Sequence, residues 1–150
     1  MCFGVLHMVD GFVKKDKYDV ADLLQIMRLL RSPEGCPWDR EQTHKSIRSD
    51  FLEETHEAIE AINQENSAAL CEELGDVLLQ VVFHARIEEE NDRFTFDDVV
   101  NGICQKLVIR HPHVFADVQA SDAGQVLKNW DAIKRETKGG KTQADLLAAV

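Results

Sequence analysis

Four acidic residues fall in two pairs at one spacing, Glu54 with Glu57 and Glu73 with Asp76. Three positions apart on a helix, the members of each pair project from one face, a single turn apart. Between them, Asn63-Gln64-Glu65-Asn66-Ser67 is a poor helix interior and reads as a turn. Two helices folding back across that turn bring the pairs face to face. Four carboxylates in one small volume repel strongly unless cations sit between them. Oxygen-only ligands favour a hard cation, Mg²⁺ or Mn²⁺. The plainer reading makes Glu53, Glu54, Glu57 and Glu60 the solvated face of an amphipathic helix, as acidic runs usually are. Glu73 and Asp76 weigh against it, because they lead into the apolar run Val77 to Phe83. Gly75 beside them costs a helix interior about 1 kcal/mol relative to Ala, and suggests a close approach of backbone or ligand.

The elements that must position these residues read as helices. Asp19 caps a first helix with Val20, Leu23, Leu24, Met27 and Leu30 at amphipathic spacing, and Ser32-Pro33-Glu34-Gly35 ends it near Arg31. Cys36-Pro37-Trp38-Asp39 reads as a loop whose Trp38 ring either plugs the end of the bundle or meets a ligand. A second helix spans about Ile47 to Asn63, with Phe51, Leu52, Ala58, Ile59 and Ile62 as its apolar positions. Ser67 is read as the cap of a third, extending to about Glu90, whose middle is apolar nearly all round and should be buried on most sides. A chain this short has few helices to cover it, which suggests a homo-oligomer. A fourth helix opens at Thr95, with Asp98 three residues on, and ends at Pro112; a fifth opens at Ser121-Asp122 and closes at Gly139-Gly140. No stretch alternates with a period of two. The fold class expected is all-α, an antiparallel four- to five-helix bundle assembling as a dimer through a helical interface. Its organisation is an N-terminal arm of unassigned role, 1–18, a helical domain, 19–138, and a C-terminal tail, 139–150.

Other metal patterns are weaker. Glu41-x-x-His44 and Glu53-x-x-His56 share the spacing of di-iron carboxylate bundles, but those need two facing helices and these motifs are neighbours in sequence. His84 reads as a core histidine, and His111-Pro112-His113 as a helix-ending turn. Basic residues are few enough for their placement to matter. Lys106 and Arg110 are four apart, as are Trp130 and Lys134. Cations beside a Mg²⁺ site suit a polyphosphate, and Trp130 offers a face for a base. Taken alone, Lys106 and Arg110 cover a solvent face and Trp130 is core.

A chain of 150 residues is one domain by size, and a formal net charge of −10 argues against binding nucleic acid through bulk electrostatics. No apolar run is long enough to span a membrane. Met1 to Val9 lacks the basic start of a signal peptide. Cys2, Cys36, Cys71 and Cys104 are scattered, as reduced thiols in a cytoplasmic protein are.

Glu53-Glu54-Thr55-His56-Glu57 followed by Glu73-Leu74-Gly75-Asp76 resembles the signature Glu-Glu-x-x-Glu…Glu-x-x-Asp of the MazG-type nucleoside triphosphate pyrophosphohydrolases, in the all-α NTP pyrophosphatase superfamily. Gly35-Cys36-Pro37-Trp38-Asp39, Gln80-Val81-Val82-Phe83 and Arg110-His111-Pro112-His113-Val114-Phe115 extend the resemblance over about residues 20–137. It implies an α-helical dimer that converts an NTP or dNTP to the monophosphate and pyrophosphate with Mg²⁺, as nucleotide-pool housekeeping. By motif match, Glu54, Glu57, Glu73 and Asp76 would be the metal ligands and Glu53 a supporting catalytic carboxylate. Lys106, Arg110 and Lys134 would contact phosphates, Trp130 would lie near the base, and Trp38 joins them as a candidate substrate contact. Many relatives carry two copies of the domain; this chain has one and looks most like the first. The alternative is a non-catalytic helical dimer binding nucleotide or a protein partner, its acidic cluster a metal-stabilised strut.

Overall fold

The computed structural model describes residues 11–137. The expected tail 139–150, residues 1–10 of the arm and the closing Gly139-Gly140 pair lie outside that range. Among the described residues there is no strand, as the all-α reading expects. The helices are α1 (Val20–Leu30), α2 (Pro37–Glu41), α3 (Arg48–Asn63), α4 (Ser67–Glu90), α5 (Phe96–Arg110), α6 (Pro112–Phe115) and α7 (Ala123–Thr137). The chain divides into two compact units between Phe96 and Asp97.

In the first unit, Asp19 starts α1 through a reciprocal capping box with Asp22. Asp22 is buried and takes an ion pair from Lys15, so residues 12–18 are tied to α1, with Phe12 stacked on Tyr18. Arg31 closes α1 and reaches further. Its guanidinium grips Glu90 with two bonds of 2.9 and 2.8 Å and donates to the carbonyls of Asp39 and Gln42. One side chain thus ties the end of α4 to the C-terminal half of the segment bearing Trp38. That segment is not the expected loop. Pro37 stands in the first turn of a short helix, where its fixed φ and missing N–H are tolerated. Gly35 permits the sharp entry, since a Cβ there would collide with the carbonyl oxygens of Leu29 and Leu30.

The α3–α4 hairpin is the principal packing of this unit. Its turn falls where the sequence placed it, with Glu65 at φ 52°. The cap of α4 is Asn66, not Ser67: its side chain accepts from the backbone N–H of Ala69. Below the hairpin, Met27, Ile47, Val82, Phe83 and Ile87 form the core, with Leu23, Leu24, Leu79 and Phe96 packed against it.

One packing expectation fails. The buried residues of α3 are the small ones, Ala58 and Ala61, whereas Leu52, Ile59 and Ile62 remain exposed. Small side chains let the α3 and α4 backbones approach, which turns the larger apolar residues outward. The middle of α4 is largely covered, with Gln80, Val82 and Phe83 buried and Val77, Leu79 and Val81 half-buried, while Leu78 there and Leu74 before it stay exposed.

In the second unit α5 begins one residue after Thr95 and stops before Pro112, which opens the short helix α6. α7 is capped by Asp122, whose Oδ1 accepts from Gln125 N–H at 2.9 Å.

Candidate metal centre

The hairpin determines which carboxylates meet. Antiparallel packing of α3 on α4 sets Glu54 and Glu57 across from Glu73, with ligand oxygens from all three within 4.8 Å of one another. Asp76 is not in that tightest group. Its charge nevertheless acts on both Glu54 and Glu73. Glu53 is exposed on the outer side of α3 and adds to the field at Glu54.

The electrostatics follow from this crowding. The Glu54 carboxyl is pushed above the usual range, first by loss of solvent and then by the charges of Asp76, Glu57, Glu53 and Asp50. Glu73 rises for the same reasons, with Glu57, Asp76 and Glu72 as its like-charged neighbours. Among the described residues, no Lys or Arg pairs with Glu54, Glu57, Glu73 or Asp76. By contrast, Glu88, Glu89 and Glu90 on the same helix all have arginine partners. An all-oxygen, like-charged donor set without a protein counter-ion fits a hard divalent cation. Gly75 does not mark a close approach within the chain, since a Cβ added there would meet nothing within 4 Å.

The remaining candidates separate. In the second unit Arg110 and Lys134 both lie over the Trp130 ring, at 5.1 and 5.0 Å from its centroid, and Lys106 is exposed one turn earlier on α5. Three of the four looser candidates thus form one cluster, joined by cation–π contacts that the i, i+4 spacing of Trp130 and Lys134 anticipates. Trp38 does not plug the bundle end: it is 58% exposed on α2, which leaves its face free.

The other metal patterns dissolve on inspection. His44 has turned away from Glu41: its Nε2 meets Glu88 at 2.5 Å and its Nδ1 meets His84 Nδ1 at 2.7 Å. The rings of His44 and His84 stack, and Phe51 tilts against His84. Arg93 completes the chain by binding Glu88, holding its carboxyl down at about 2, with His44 contributing after Arg93. The core reading of His84 is only half right, since it is half-buried and hydrogen-bonded; burial and His44 push its imidazole below the usual range. His111 Nδ1 meets the Leu107 carbonyl at 2.6 Å and His111 caps α6, the turn role expected of it.

Sequence reasoning missed two features. The Arg93–Glu88–His44–His84 chain joins residues far apart in sequence and has no local signal. Gln80 had one: it is the only polar residue in the run Val77 to Phe83. It is buried, and its Oε1 has no hydrogen-bond partner among the described residues.

Comparison with known proteins adds to this geometry. Residues 42–115 match the sequence model of the MazG nucleotide pyrophosphohydrolase domain. The nucleoside triphosphate pyrophosphohydrolase/pyrophosphatase MazG of Thermotoga maritima is 52% identical over 120 residues, covering 80% of this chain and 46% of that protein. The nucleoside triphosphate pyrophosphohydrolase of Escherichia coli K12 is 49% identical over 126 residues, or 83% of this chain and 48% of that one. The chain therefore spans about half the length of these curated relatives. The crystal structure of a mazG-related protein from Thermotoga maritima superposes with a TM-score of 0.64 at 25% identity, over 77% of this chain and 99% of that one.

Proposed function

We propose that the chain, whose residues 42–115 match the MazG nucleotide pyrophosphohydrolase domain, hydrolyses nucleoside triphosphates, ribo or deoxy, to monophosphate and pyrophosphate in a Mg²⁺-dependent reaction. The observation that carries the proposal is the meeting of Glu54, Glu57 and Glu73 from two helices within 4.8 Å, with no Lys or Arg paired to them among the described residues.

In this reading Glu54, Glu57, Glu73 and Asp76 hold Mg²⁺, with Mn²⁺ as a substitute. A bound divalent cation supplies charge neutralisation for phosphate oxygens and acidifies water. The rest of the reaction belongs to side chains of the protein. Water attacks the α-phosphorus, the bond to the bridging oxygen of the β-phosphate breaks, and pyrophosphate leaves. Glu53 is the supporting carboxylate that helps orient the attacking water, and a carboxylate of the cluster not fully used in coordination accepts its proton. Lys106, Arg110 and Lys134 neutralise the remaining phosphate charge. Trp130 lies near the base, and Trp38 offers a second aromatic contact. Since Arg110 and Lys134 already lie over Trp130, a nucleotide that draws both cations to its phosphates frees ring surface for the base.

The same reading takes residues 19–138 as the working domain and a homodimer as the assembly. The exposed Ile59, Ile62, Leu74 and Leu78 supply apolar surface for a second copy. No described helix is long and apolar enough to cross a membrane. A cytoplasmic setting suits a nucleotide-pool enzyme.

The test is product identification by chromatography after incubation with a panel of NTPs and dNTPs, with and without Mg²⁺. Monophosphate and pyrophosphate that appear only with Mg²⁺ are expected. Absence of turnover with Mg²⁺ binding intact would make the chain a non-catalytic binding module.

A further inference from the structure

Gln80 is 7% exposed, and its Oε1 has no hydrogen-bond partner among the described residues. A buried carbonyl oxygen left unpaired costs free energy that an apolar side chain of the same size would not. The run around it, Val77-Leu78-Leu79 before and Val81-Val82-Phe83 after, is apolar. Packing therefore gives no reason for an amide at this position.

Its place on α4 gives one. Gln80 lies seven residues after Glu73 and four after Asp76, so the three share one stripe of the helix. Cα–Cβ bonds on a helix tilt toward its N-terminus, which leans Gln80 over the turn carrying Asp76. Asp76 in turn lies close enough to Glu54 across the hairpin for its charge to act there. The amide with the unpaired oxygen thus stands at the C-terminal edge of the carboxylate cluster, on the helix face that bears Glu73 and Asp76.

We propose that Gln80 is a positioning residue of the metal centre, its Oε1 completing the oxygen set that the carboxylates offer to a hydrated divalent cation. The inference rests on the metal reading of the cluster. It adds a neutral oxygen where a further carboxylate would only increase the repulsion. Mg²⁺ keeps several of its waters when bound, and each needs an acceptor; a buried neutral oxygen at the rim is suited to receive one.

The experiment is Mg²⁺ titration by calorimetry, together with thermal melts in EDTA, on the parent chain, Gln80→Met, Gln80→Glu and Glu57→Gln. Met conserves volume and removes the oxygen. Expected are Mg²⁺ binding about tenfold weaker in Gln80→Met, the size of effect typical of groups supporting a metal ligand, and a metal-free melting temperature that holds or rises. Gln80→Glu keeps an oxygen in place and should bind Mg²⁺ at least as tightly as the parent. Unchanged affinity in Gln80→Met overturns the inference. So does a clear drop in its metal-free melting temperature, which would mean that the amide serves the fold. A parent chain that binds no Mg²⁺ removes the metal reading itself, a result distinct from either.

Discussion

Glu57→Gln removes one negative charge at nearly constant shape, and Asp76→Asn does the same one turn from Glu73. In a cluster where lost solvent and then like charges already push the Glu54 and Glu73 carboxyls up, neither change should harm the fold. Both should lower pyrophosphate release at saturating Mg²⁺ by at least about a hundredfold, since loss of even a supporting partner of a metal ligand costs 10–100-fold. Circular dichroism and steady-state release on the same preparations check this, and full activity in both variants would remove the carboxylates from the mechanism. At this scale the sequence was legible where chemistry is periodic. The i, i+3 pairs and the turn between them suffice to predict that Glu54, Glu57 and Glu73 meet. Gln80 was not legible, because a single amide in an apolar run means little until its burial and missing partner are known. Of the two readings open for Trp38, its exposure removes the plug, which nothing local could have done.

Two glycines show how the helices depend on what surrounds each residue. Gly35→Ala sets a methyl against the carbonyls of Leu29 and Leu30 and should destabilise the chain by about 1–3 kcal/mol. Gly75→Ala meets open space in a helix interior and should stabilise it by about 0.5–1 kcal/mol. Urea denaturation of the two variants measures both, and equal effects would contradict the packing described. The junction between α4 and the segment entering α3 carries a pH dependence. Arg93 and then His44 hold Glu88 at about 2, below its ordinary 4.5. A carboxyl depressed in the folded state contributes stability that is complete above pH 4.5 and disappears as pH falls through about 2. Melting temperature plotted against pH should therefore decline over that window, and Glu88→Gln should flatten the decline; an unchanged profile would mean that Glu88 is not held as described. Helix boundaries were readable because caps and breakers are local: Asp19, Asp122 and Pro112 act where expected. The α2 helix escaped notice because a five-residue helix has no periodicity to read. On α3, Ala58 is buried at an expected apolar position, but backbone approach favoured Ala61 over the larger residues that periodicity alone would bury.

For the molecule as a whole, the apolar side chains left outside α3 and α4 are the main unsettled account. Leu52, Ile59, Ile62 and Leu74 are each more than half exposed, at 74%, 51%, 56% and 53%. Sedimentation equilibrium should return twice the chain mass of 17.0 kDa, and a single 17.0 kDa species across micromolar concentrations would contradict the homodimer. The sequence indicated that such surface would exist, since an apolar α4 in a short chain lacks partners. It could not say which side chains would form it, because that depends on how closely α3 and α4 approach. The proposed hydrolysis breaks the bond between the α-phosphorus and its bridging oxygen, and isotope placement reports which bond is cut. Turnover of a nucleoside triphosphate in ¹⁸O-water with Mg²⁺, followed by mass spectrometry of the products, should place the label in the monophosphate and leave pyrophosphate unlabelled. Label in pyrophosphate, or a diphosphate with orthophosphate as the products, would mean that water attacks a different phosphorus and would contradict the mechanism assigned to this centre.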